Sequence, residues 1–111
     1  MSSLSSGQWG VLFLTFLYCS AIPLYAKPAR CSTTDDGSFP CEFRATAPDG
    51  SFEISAPGKP TYILNMAEPG VAFGFVNLGS GNVALPGRYL RSQDEPACWM
   101  NDSTHAEICA R

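Results

Sequence analysis

From Ser51 onward the chain is a series of short apolar stretches cut by turn residues about every ten positions, the spacing of a small antiparallel β domain. Ser51-Phe52-Glu53-Ile54-Ser55 alternates, with Phe52 and Ile54 facing one way and Glu53 the other. Thr61–Met66 is apolar on both faces, as suits a more central strand. Val71–Leu78 is the richest strand: Val71, Phe73 and Phe75 share one face, and Ala72, Gly74, Val76 and Leu78 share the other. The large residues are expected to fill the core, leaving the Ala72/Gly74 side for close approach of a neighbour. Shorter strands are expected at 82–85, 88–92, 97–100 and 107–110. Pro48-Asp49-Gly50, Pro57-Gly58-Lys59-Pro60, Glu68-Pro69-Gly70, Gly79-Ser80-Gly81-Asn82 and Pro86-Gly87 supply the turns between them. After residue 26 no helical stripe exceeds a turn or two. The expected fold is all-β, a small antiparallel barrel or sandwich of about 6–8 short strands stapled by disulfides.

The N-terminal segment follows a different pattern. Val11–Tyr18 is a continuous apolar run, followed by Pro23 and then Leu24-Tyr25-Ala26. The run is too short to span a bilayer, which takes about 20 apolar residues. A small residue after a helix breaker suits signal peptidase, so residues 1–26 are read as a signal peptide and 27–111 as one small domain. Met1–Gly10 has no Lys or Arg, and an uncleaved N-terminal anchor is the alternative. Cys19 follows the bulky Tyr18, which argues against a lipid-bearing cysteine.

With the signal removed, five cysteines become four: Cys31, Cys41, Cys98 and Cys109. An even set in a short exported chain implies a disulfide framework and an oxidising compartment, hence a secreted or periplasmic protein. Spacing alone leaves the pairing open. Cys31–Cys41 with Cys98–Cys109 is favoured because both are local; Cys31–Cys109 with Cys41–Cys98 is the rival. A domain this small buries only about 60–65% of its unfolded surface, so its core alone is marginal. Each disulfide, closing a loop of roughly ten residues, adds on the order of 3 kcal/mol.

Catalytic chemistry has little support. His105 is the lone histidine and falls in an expected hairpin loop between Cys98 and Cys109. Nothing in the sequence sets an acid or nucleophile beside it. Asp35-Asp36 and Asp94-Glu95 are sequence neighbours that point apart, unlike the facing carboxyls of a glycosidase. Asp35-Asp36-Gly37 and Asn101-Asp102-Ser103 lack the spaced oxygens of a calcium loop. No C-x-x-C occurs, so neither a redox dithiol nor a zinc cluster is expected. No metal or other cofactor is expected. Seven scattered Lys and Arg against ten Asp and Glu disfavour nucleic acid. Asn101-Asp102-Ser103 is formally a glycosylation acceptor, which in a eukaryotic secretory pathway would sit at an accessible hairpin tip; a chance match in a turn is the equal alternative. Trp99, beside Cys98, is expected to pack against the disulfide as core.

The segment Arg88–Pro96 is the best candidate for a functional surface. If Leu90 points inward, Tyr89 and Arg91 project together, and the loop carrying Asp94 and Glu95 is held at its far end by Cys98. The candidate binding residues are therefore Tyr89, Arg91, Asp94 and Glu95. Loops anchored in this way lose little entropy on docking. The reading is a small exported binding protein, not an enzyme, whose partner is a protein, such as a hydrolase it inhibits, or a component of the cell envelope. A net charge of −3 steers it towards basic partners. In size, export, acidity and β content the chain resembles the small periplasmic lysozyme inhibitors. The resemblance is one of architecture, with no motif through which their functional residues carry over. A structural or envelope-associated protein without a soluble ligand is the alternative; a small secreted enzyme, needing His105 in a cleft, is the third. No transmembrane span is expected after cleavage. The two-faced apolar strand at 71–78 fits either a closed barrel or a dimer interface.

Overall fold

The computed structural model describes residues 26–111. The signal-peptide assignment lies outside them, apart from Ala26. The described residues form nine strands and no helix: β1 (Ala26–Thr33), β2 (Gly37–Ala45), β3 (Phe52–Ser55), β4 (Thr61–Glu68), β5 (Val71–Asn77), β6 (Asn82–Ala84), β7 (Tyr89–Arg91), β8 (Cys98–Asn101) and β9 (Glu107–Ala110). All pairings are antiparallel, and eight strands close a ring in the order β1-β2-β3-β4-β5-β7-β8-β9, with β9 returning to β1. It is a closed barrel, not a sandwich. The ninth strand, β6, stands outside the ring. One edge of β5 pairs with β4 along its length, whereas the other gives Val71 and Ala72 to β7 and Phe75–Asn77 to β6. Closure removes the unpaired edges that a short open sheet would expose.

The first two strands are not anticipated from the sequence, because Pro28 and Pro40 interrupt the pattern. Arg30 bonds through its own backbone to Arg111, donating from N at 2.9 Å and accepting at O at 2.8 Å. The Arg30↔Pro40 pair is therefore a non-hydrogen-bonded one, and the missing proline N–H faces away from β1. On that far side β3 pairs only with Glu42–Ala45, so Pro40 breaks no ladder bond. Pro28 likewise lies beyond the Cys31–Thr33 stretch that β9 pairs with. The prolines occupy the positions where a strand tolerates them.

The barrel interior holds Cys31, Phe39, Cys41, Phe52, Ile54, Tyr62, Leu64, Ala72, Tyr89, Trp99 and Ile108. Strand β5 is inverted relative to expectation. Ala72 and Gly74 face inward, whereas Phe73 points out and is 49% exposed. The cause is Tyr89, whose ring lies so close to Gly74 that an added Cβ would stand 2.5 Å from its Cε1. A large ring from β7 fills the space, so β5 must supply small residues there. The close approach expected at Ala72/Gly74 is real, but it takes place inside the core.

Both disulfides are the local ones. Cys31–Cys41 joins β1 and β2 within the interior, with Cα atoms 5.8 Å apart. Cys98–Cys109 links directly opposed residues of β8 and β9, 4.0 Å apart at Cα. It lies on the outer side of the wall, because Trp99 and Ile108 take the inward positions between which the cysteines alternate. Trp99 is core, as expected, but it packs inward and not on its neighbouring disulfide. The two staples are compatible with an oxidising compartment. No helix among the described residues is long and apolar enough to cross a membrane.

Candidate functional site

The barrel has two mouths, and the loops at each have a different character. One is formed by the β2–β3 loop (46–51), the β4–β5 turn (69–70) and the β7–β8 loop (92–97). A cup of about 460 Å³ opens here, lined by Phe43, Phe52, Met66 and Trp99, with Asp49 and Arg91 as its charged groups. Its floor is aromatic and continuous. Phe43 and Phe52 stack with centroids 5.0 Å apart, and Phe52 meets Trp99 at 6.4 Å in a tilted pair. The β4–β5 turn that shapes the rim needs Gly70 at φ 80°, a left-handed conformation that other residues adopt at a cost.

Arg91 is the most organised group of the cup. Its guanidinium carbon lies 5.5 Å from the centre of the Trp99 ring, and its Nε donates to Pro96 O at 2.7 Å. Arg91 and Trp99 face each other across the β7–β8 pair, so the register of the hairpin places the guanidinium over the ring. Arg44, Arg88 and Arg111 each pair with a carboxylate at 2.9–3.1 Å; Arg30 and Arg91 have no ion pair with a described residue, and of these two Arg91 lines the cup. Asp49 accepts from the Ser51 N–H at 3.0 Å, and its bonds to Ser51 hold its carboxyl below the usual range. One oxygen of Asp49 is thus committed to its own loop.

The loop behind Arg91 is laced by hydrogen bonds. Ser92 N donates to Cys98 O at 2.9 Å, Cys98 N to Glu95 O at 2.8 Å, and Glu95 N to Ser92 Oγ at 3.1 Å. Arg111 clamps Glu95 from outside at 3.1 Å.

The four candidate binding residues do not meet on one surface. Leu90 points outward and is exposed, so Tyr89 and Arg91 both face inward, the reverse of the premise on which they were grouped. Tyr89 is 3% exposed and serves the core near the other mouth. Arg91 reaches the cup. Asp94 is exposed on the β7–β8 loop, and Glu95 supports that loop through Arg111. The sequence reading missed Phe43, Phe52 and Met66 as cup residues. Seating Tyr89 in the core would have revealed the site, because Arg91 then turns towards Trp99 across the hairpin.

The other mouth carries a hydrogen-bonded side-chain network. A cavity of about 320 Å³ is lined by Thr33, Asp35, Tyr62, Tyr89, Asn101 and Glu107 among others. Tyr62 donates to Asp36 Oδ2 at 2.9 Å, and Thr33 Oγ1 donates to the same oxygen at 3.1 Å. Burial, then the Asp36 carboxylate, pushes the Tyr62 phenol up to about 12. Asn101 is a structural hub here, 1% exposed. Its Nδ2 donates to Pro86 O at 2.7 Å, and its Oδ1 accepts from Ser103 N at 2.8 Å and Thr104 N at 2.9 Å. The expectation of an accessible glycosylation site is therefore corrected, since the nitrogen that would carry a glycan is buried and bonded. His105 sits exposed on the β8–β9 turn at φ 63°, and its ring forms no hydrogen bond with a described residue. Glu107 lies close to the sulfurs of Cys98 and Cys109, but the disulfide leaves them no thiolate to offer a metal.

Compared with family models, curated proteins and solved structures, the chain matches none.

Proposed function

We propose that the chain is a small exported binding protein, secreted or periplasmic, which holds part of a protein or cell-envelope partner in the aromatic cup. One observation carries this reading: Arg91, held by Pro96 O and placed over Trp99, has no ion-pair partner among the described residues and stands over an open cup of about 460 Å³. A volume of that order suits a side chain or a small ring system. The cup is built from strands and a laced loop, so docking costs little ordering entropy. The two disulfides are what an exported domain of this size needs for stability. The architectural resemblance to periplasmic lysozyme inhibitors makes an extracellular or periplasmic hydrolase the first class of partner to try.

The test compares three immobilised proteins against extracellular and envelope fractions: wild type, Arg91→Gln in the cup, and Val83→Ser on β6. Wild type and Val83→Ser should retain the same partner, and Arg91→Gln should lose most of it. Equal retention by all three would remove the cup from the reading. Sedimentation with membranes and no retained partner would favour the envelope-associated alternative.

A further inference from the structure

We infer that the group the cup accepts is an apolar, preferably planar, moiety bearing a carboxylate; this rests on the binding role proposed above and names the ligand chemistry of the same site. The floor fixes the apolar half of the ligand. The partly exposed Phe43 and Met66 offer its apolar wall, backed by the Phe52 and Trp99 rings, each 5% exposed, with the small residues Gly50, Gly70 and Ala97 around it. Such a surface takes a flat ring by offset or tilted stacking, the geometry its own members already adopt.

The anionic half follows from Arg91. A guanidinium carries five N–H donors in a planar fork. Nε is spent on Pro96 O, which fixes the side chain along its length and leaves the two terminal nitrogens for a ligand. Its place over the Trp99 ring, 5.5 Å from the ring centre, keeps the guanidinium at the cup. A carboxylate matches that fork with two parallel hydrogen bonds, and because the guanidinium is already oriented little entropy is lost in making them. Asp49 does not take this role: it forms no salt bridge with Arg91, and Ser51 N–H holds one of its oxygens. Its remaining charge gives the alternative a definite form, because a ligand bearing an ammonium group would be drawn to Asp49 and repelled by Arg91.

The probes are phenylacetate, benzyl alcohol and benzylamine, which share a ring and differ in charge. Trp9 and Trp99 are the two tryptophans, so Trp9→Phe in the full chain leaves Trp99, directly beneath Arg91, as the sole fluorescent reporter. Phenylacetate should give a saturable change in Trp99 emission, at least about tenfold tighter than either of the other probes. Arg91→Gln should abolish that preference while leaving weak, equal binding of all three rings. Arg91→Lys should restore only part of it, since a point charge cannot make the two-pronged contact.

Equal affinity for the three probes in the parent would overturn the carboxylate assignment and leave an apolar cup. Tighter benzylamine would assign the charge recognition to Asp49 instead. No saturation by any ring would overturn the inference outright. Retention of a partner that depends on Arg91 would survive any of these outcomes, so failure of the ligand class is distinguishable from failure of the binding role.

Discussion

At the scale of single residues, the molecule depends on a few positions where one neighbour dictates the choice of the other. Gly74 is one, because the Tyr89 ring occupies the place of its absent side chain. Gly74→Ala should cost about 2 kcal/mol in urea unfolding, the usual penalty for forcing a methyl into a filled core. Shortening Tyr89 in the same chain (Tyr89→Val) should make the combined loss smaller than the sum of the separate ones, which a double-mutant cycle measures. Asn101 is another. Asn101→Ala removes one donor and one doubly used acceptor from a buried hub, and the expected cost is about 2–3 kcal/mol by the same measurement. Expressed through a glycosylating secretory pathway, the folded protein should show no added glycan mass. Tyr62 gives the alkaline limit. Its folded pKa, about 12, lies above its ordinary value of 10.0, so its contribution is intact below pH 10 and lost as pH rises through about 12. Urea midpoints followed up to that pH should fall, and Tyr62→Phe should flatten the fall. Some decline should remain, because burial raises Tyr89 in the same direction.

At the scale of elements, the hairpins β1–β2 and β8–β9 each carry one staple, and they are neighbours through the β1–β9 pairing. The closed loops span almost equal sequence separations, 10 and 11 residues, so loop-closure entropy gives the two bonds nearly the same value. Burial does not separate them either, since all four cysteines are 6% exposed or less. Cys31→Ala with Cys41→Ala and Cys98→Ala with Cys109→Ala should therefore cost similar amounts, within about 1 kcal/mol of each other, in calorimetry or urea unfolding. A clearly larger loss from the first pair would show that the barrel interior tolerates lost volume less well than the wall.

Legibility from the sequence also varied by element. Strand β3 was readable from its alternation and β4 from an apolar run on both faces, and the local disulfide pairing was favoured for the turn-rich segments it encloses, although spacing alone left it open. Strands β1 and β2 were not, because Pro28 and Pro40 count against a strand unless the hydrogen-bonding parity of each neighbour is known. That parity comes from the β9 contact, which is remote in sequence. The face of β5 was misread because the size rule that puts phenylalanine inside gives way when an opposing ring has already taken the space. The face of β7 went wrong with it, and the candidate site inherited the error. Arg91 was found, but Tyr89 was placed beside it at a surface instead of in the core, and the aromatic floor from β2, β3 and β8 was assembled only by closure.

At the scale of the whole molecule, the barrel separates two unlike ends. One carries a network of tyrosine, aspartate, threonine and asparagine that is largely satisfied within the fold. The other carries an aromatic cup beneath an arginine with no carboxylate of its own among the described residues. A domain that holds such a group ready at a rigid mouth is organised to meet a partner there. The most direct measurement is site-specific photocrosslinking in the producing cells, with a photoreactive phenylalanine at Ala97 on the cup wall or at Val83 on β6 near the opposite mouth. A discrete adduct from position 97 and none from position 83 is the predicted result, whereas an adduct from position 83 alone would contradict the assignment of the cup as the binding surface.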